Sequence, residues 1–156
     1  MTLIETPQYE DVPEQRVALI HVTVPSLDIR PAMTAAFAEL TAVLQAQNVA
    51  PTGPWTAHHF YKPVTTFDFE LCSPIAAPIE PSGRVVNGSL RATRVAHAVY
   101  RGNYEHLPAA WREFTAWLEE HGHSLDGDFW ETYTVGPSRN PDPASWQTEL
   151  ICPINE

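Results

Sequence analysis

One pattern occurs twice in this chain. RVALIHV starts at Arg16 and RVAHAVY at Arg94, an offset of 78 residues. FELCSPI ends at Ile75 and TELICPI at Ile154, an offset of 79. Internal periodicity of this kind constrains a fold more than any local propensity. Between the markers lie two apolar stripes at helical spacing, one of Pro31, Met33, Phe37, Leu40 and Val43/Leu44, the other of Leu107, Trp111, Phe114 and Trp117/Leu118, related by an offset of 74. Changes in offset place insertions before the first helix and after the second, around SRNPDPAS, in loops. Pro31 and Pro108 suit first helical turns, Gly122 suits the position just past the second helix, and the first ends before Pro51.

Each half therefore reads strand, helix, strand, strand. The first half has strands at about 16–24, 55–62 and 66–73 and a helix at about 31–48. The second has strands at about 93–101, 128–136 and 146–152 and a helix at about 106–121. Between them IAAPIEPSGRVVNGSLR is loop-rich, with Arg84–Val86 as an additional short strand. The expected fold is α+β, a tandem duplicated β-α-β-β repeat with antiparallel sheet and two main helices. A pseudo-twofold leaves a central groove where the halves meet, and such junctions favour ligands.

The 156 residues fit one domain, 1–156, made of repeats at about 16–75 and 94–154. No apolar run is long enough to span a bilayer. The acidic N-terminus lacks a secretory signal pattern, so a cytoplasmic protein is expected. Cys72 and Cys152 make neither a disulfide framework nor a metal cluster. The net charge of −10, with scattered Lys and Arg, argues against direct nucleic-acid binding.

In FWETYTVGPS, residues 129–138, period-two alternation puts Phe129, Glu131, Tyr133 and Val135 on one face and Trp130, Thr132 and Thr134 on the other. A carboxylate between aromatic rings on a buried face is costly unless something partners it. Ionised, it pairs with a bound cation; with its pKa raised by desolvation, it donates or accepts a proton near neutral pH. A solvated glutamate on an exposed face is the competing reading. Aligning Trp130 with Trp55 sets Thr56 opposite Glu131 as its neutral counterpart.

Trp55 and Tyr100 are candidate groove walls, and Phe60, Tyr61 and Tyr104 are weaker ones. Trp111 and Trp117 lie on the helix stripe and read first as core, with Trp111 kept among the ligand-binding candidates. His21 and His97 sit mid-strand and either could line the groove; a structural histidine is the alternative. His58–His59 and His121-x-His123 lack a third ligand at zinc spacing, so no metal is expected. Gly83, Gly88 and Gly102 form no phosphate-binding fingerprint and no G-x-S-x-G elbow is present, so no cofactor or nucleophile is expected.

HAVYRGNYEHL, the Ala-Trp-x-x-Phe-x-x-Trp-Leu helix, WETYTVGP and the closing TELICPI occur in an order and spacing that cover nearly the whole chain. In these the chain resembles the GyrI-like small-molecule-binding domain, also found as the effector-binding domain of AraC-type and MerR-type regulators. The resemblance implies a central pocket for hydrophobic, often cationic, molecules, with a strand glutamate facing the ligand. By motif that residue is Glu131, with Tyr133 beside it. Because the chain has no room for a helix-turn-helix domain, it is similar to stand-alone members. The expected partner is a bulky hydrophobic or cationic small molecule, sequestered or sensed. One alternative is a hydrolase that opens cyclopropane rings of DNA-alkylating natural products, with Glu131 and Tyr133 as its catalytic pair. Another is a protein partner such as a topoisomerase.

Overall fold

The computed structural model describes residues 2–61, 65–125, 127–136 and 140–154. Eight strands form one antiparallel sheet: β1 (Gln8–Val12), β2 (Gln15–Pro25), β3 (Trp55–His59), β4 (Thr66–Pro74), β5 (Val85–Leu90), β6 (Thr93–Arg101), β7 (Phe129–Val135) and β8 (Gln147–Pro153). Helix α1 spans Ile29–Ala46 and α2 spans Leu107–Glu120. The strand order is β1-β6-β8-β7-β3-β4-β2-β5. Two units with the same element order, β2-α1-β3-β4 and β6-α2-β7-β8, thus meet at the β3–β7 pair in mid-sheet.

The sheet must curl. Only Arg91 and Ala92 separate the edge strand β5 from β6, yet six strand spacings lie between them in the sheet order, about 29 Å if flat. Three residue steps reach only ~11 Å. Curling closes a small apolar cluster on the inner face, where Val17, Leu19, Cys72, Leu90, Val95 and Trp130 pack.

Both helices cover the other face. Ala36, Leu40 and Leu44, spaced four apart, seat α1 on Ala18, Ile20, Phe69 and Leu71. Leu107, Ala110, Phe114 and Leu118 seat α2 on Ala96, Ala98, Leu150 and Cys152. Each helix ends alike. Asn48 (φ 58°) and Gly122 (φ 80°) adopt the left-handed conformation, and the next amide, Val49 or His123, donates back to the carbonyl of Leu44 or Leu118 at 2.9 and 2.8 Å. These bonds satisfy carbonyls the helix would otherwise orphan. No helix among the described residues is long and apolar enough to cross a membrane.

Four expectations need correction. Strand β1 was not anticipated: QYEDV is largely exposed and, among the described residues, pairs with β6 alone. The strand expected at Arg84–Val86 begins at Val85 and continues to Leu90, because it pairs with β2 through Gln15. Strand β3 ends at His59 rather than near 62; Lys62 itself lies outside the described residues, as do Ser138 and Arg139 of the expected loop. Finally, Trp55 and Trp130 are not equivalent. Trp55 packs against the α1 core and Trp130 lies in the inner cluster, so they face opposite sides. Across the β3–β7 ladder, Ala57 and not Thr56 stands opposite Glu131.

Candidate functional site

A row of paired residues crosses the helix-covered face: Ala98, Leu150, Glu131, Ala57, Leu71, Ile20 and Val85. Six are apolar and buried; one is a carboxylate. It lies on β7, where the sheet passes from the part beneath α2 to the part beneath α1. There residues of both helices and of the sheet line a cavity of about 1350 Å³, larger than the ~300–1,000 Å³ of most small-molecule sites.

The cavity floor comes from alternate residues of the central strands. β3 supplies Trp55 and His59; β7 supplies Phe129, Glu131 and Tyr133. Their register sets Trp55 against Tyr133 and His59 against Phe129. Met33 and Phe37 of α1 form one wall, and Leu107, Pro108 and Trp111 of α2 form the other. Tyr104 and Trp146 close one end, with ring centroids 4.8 Å apart. Phe37 packs on Trp55 at 4.5 Å, and Trp111 meets Phe129 edge-on at 4.7 Å. Such contacts fix large flat surfaces around the carboxylate.

Glu131 is buried and well supplied with donors. Trp111 Nε1 donates to Oε2 at 2.6 Å, and Tyr133 Oη donates to Oε1 at 2.9 Å. His59 Nε2 approaches Oε1 at 3.7 Å, too long for a hydrogen bond. Burial pushes this carboxyl up, but His59, Trp111 and Tyr133 together outweigh it and hold the group below the usual carboxylate range. The adjacent phenols respond oppositely. Burial, then the Glu131 charge, pushes Tyr133 well above the ordinary phenol value and Tyr104 up to about 12. The arrangement is an ionised carboxylate held by donors that stay protonated.

The sequence candidates divide by face. Glu131, Tyr133, Trp55 and Trp111 line the cavity; Trp111, read first as core, does both by bridging Phe114 and Phe129. Tyr100 does not line it. Its hydroxyl donates to the Asn103 carbonyl at 2.6 Å, bracing the turn that carries Tyr104. Gly102 (φ +135°) lets that ring pass, since a Cβ there would lie 3.0 Å from Tyr100 Oη. His21, His97 and Phe60 fall outside the cavity. On their strands Ala18, Ile20, Ala96 and Ala98 take the helix-covered face, so His21 and His97 must point to the other. His21 bonds Asp68 at 2.5 Å, His97 lies between Glu10 and Glu149, and Phe60 packs edge-on against His21 and His58.

Sequence reasoning passed over Phe37, Phe67, Phe129, Trp146 and above all His59 as site residues. The signal for His59 was the period-two step from Trp55; reading His58–His59 as one pair hid it. The two rings face opposite sides, His58 toward Glu70 and Asp128 on the uncovered face. Among the described residues no three His, Cys, Asp or Glu side chains converge as a metal site requires.

The model of the GyrI-like small molecule binding domain matches residues 5–155. No curated protein matches the sequence. Among solved structures, the EcmrR C-terminal domain is similar at TM-score 0.81 and 21% identity, covering 99% of both chains. In the EcmrR–DNA complex the likeness (TM-score 0.84, 19% identity) covers all of this chain but 59% of that one. SAV2435 bound to tetraphenylphosphonium is similar at TM-score 0.70 and 10% identity, covering 97% of this chain and 94% of that one. A hydrolase from Listeria innocua is similar at TM-score 0.64 and 11% identity, covering 96% and 92%.

Proposed function

Because this chain belongs to the GyrI-like small-molecule-binding domain family, we propose that it binds a bulky, largely apolar organic cation between α1 and α2, with Glu131 as the counter-charge. The observation that carries this reading is the single buried carboxylate in an otherwise apolar row, opening onto a cavity walled by aromatic rings. Water cannot solvate it well there, so a ligand cation recovers electrostatic energy that an exposed ion pair would not. Trp55, Trp111 and Trp146 add ring faces, each worth ~0.5–2 kcal/mol to a cation. The bound tetraphenylphosphonium of SAV2435 is a ligand of this kind. Its role would be to sequester such a compound or report its presence, and the net charge of −10 speaks against this chain contacting nucleic acid itself.

A hydrolase that opens strained rings has less support. A carboxyl held below its usual range is a poor proton donor at neutral pH, and both of its oxygens already accept hydrogen bonds. Titration with tetraphenylphosphonium, followed by tryptophan fluorescence, tests the binding reading. Saturable quenching is expected in the wild type and should be weakened at least about tenfold in Glu131→Gln, the loss of one charge-assisted contact. Equal affinity in the two proteins would refute the counter-charge role.

A further inference from the structure

His59 is a buried imidazole that no binding role yet uses. Its side chain is 6% exposed, its ring stacks on Phe129 at 4.9 Å and 12°, and Phe67 and Phe69 pack at 5.9 and 5.2 Å. Nδ1 is buried and has no hydrogen-bond partner among the described residues. Aromatic packing therefore fixes the ring, and its one electrostatic neighbour is Glu131, 3.7 Å from Nε2. We propose that His59 determines which ligands the pocket accepts: protonated, it is an internal counter-cation that competes with a ligand cation for Glu131; neutral, it leaves the carboxylate to the ligand. This rests on the reading that cations bind at Glu131.

The geometry makes His59 the only group that can play this part among the described residues. Trp111 and Tyr133 hold Glu131 through neutral donors that keep their protons at physiological pH. β4 presents only Phe67 and Phe69 to the imidazole, and β7 presents Phe129 and Glu131. The charged groups on the cavity's helical side, Arg30, Glu105, Arg112 and Glu119, make no ion pair with either partner. Two cations facing one buried carboxylate would leave one charge uncompensated, which is costly. Bound cation and imidazole proton are therefore mutually exclusive. At low pH the pocket is internally neutralised and suited to uncharged aromatic ligands; as pH rises past the imidazole midpoint it becomes a cation site.

Calorimetry of tetraphenylphosphonium binding, in paired buffers of different ionisation enthalpy, reads this directly. As pH is lowered, wild-type binding should release a growing share of one proton, and affinity should fall by up to ~10-fold per pH unit. As pH is raised, release should approach zero. His59→Phe should bind without proton release at either extreme and more tightly than wild type at low pH. As a check that needs no variant, the imidazole midpoint followed by nitrogen NMR should drop when the wild type is saturated with the cation. Binding that is pH-independent and proton-free in the wild type, or an unmoved imidazole midpoint, would overturn the role of His59 while leaving the Glu131 site intact. Absence of cation binding at every pH would overturn both.

Discussion

Glu131 shows how one residue is made tolerable in a core. Its two oxygens are taken by Trp111 and Tyr133, so its charge is stabilised before any ligand arrives. The folded pKa lies below the unfolded one. Its contribution to stability is therefore fully present above the unfolded value of about 4.3 and is lost as pH falls through the folded value. Trp111→Phe keeps the contact with Phe129 but removes the indole donor. It should raise the Glu131 titration midpoint, measured by carbon NMR of the carboxyl, and cost about 1.5–3 kcal/mol in chemical denaturation. An unchanged midpoint would show that the indole does not hold the charge.

His58 obeys the opposite sign on the uncovered face. Burial lowers its pKa, but hydrogen bonds and charge from Glu70 and Asp128 prevail and raise it. That stability is complete below the unfolded value of about 6.5 and disappears as pH rises through the folded value. The melting-temperature advantage of wild type over His58→Gln should accordingly shrink between pH 6 and pH 9. An advantage that grows over that range would contradict the assignment. Adjacent histidines thus do unrelated work, which the dipeptide alone did not reveal. The alternation that exposed Glu131 and Tyr133 applied equally to Trp55 and His59, but it needed the strand's facing to be known.

At the level of elements, the strands and helices that bury an apolar stripe were legible, and those that do not were not. The helix at 107–120 follows from Leu107, Trp111, Phe114 and Leu118. β1 carries no such stripe, because an edge strand over a curled sheet buries little. In β5 the Asn87-Gly88 pair resembles a turn, yet both residues lie inside the strand. Both have packing reasons instead. The Asn87 side chain bonds Ile79 N and O, each at 2.8 Å, tying down the connection from β4. Gly88 lies under Leu19, and a Cβ there would fall far inside van der Waals distance of Leu19 Cδ2. Gly88→Ala should destabilise by roughly 1–3 kcal/mol, and Leu19→Ala in the same chain should recover part of that loss. Additive effects in the double mutant would mean the two positions do not touch.

On the scale of the whole molecule, the cavity exists because two β-α-β-β units share one sheet. The buried stripe of each helix sits on its own strands, and at the β3–β7 seam the side chains of Phe37 and Trp111 meet Trp55, Phe129 and Glu131 as cavity walls. The groove was foreseeable from the two similar halves; its wall was not. Phe37 and Trp111 sit on stripes that also pack the core, and no one-dimensional pattern separates a helix flank facing sheet from one facing a gap. Ligand in this gap should bridge the units and stabilise both. At a hundredfold excess over Kd, binding contributes about 2.7 kcal/mol, so melting should rise by roughly 5–10 °C for a chain of this size. A shift below about 1 °C at saturation would show that the ligand does not select the folded cavity.

The central claim is that Glu131 makes this pocket prefer positive charge, and a matched pair of ligands isolates that charge from shape and area. The measurement is the ratio of affinities for tetraphenylphosphonium and for uncharged triphenylphosphine oxide, by calorimetry at pH 8, in wild type and in Glu131→Gln. The wild type should prefer the cation strongly, and that preference should fall at least about tenfold in the variant, while affinity for the neutral compound changes little. A ratio that is the same in both proteins would contradict that claim.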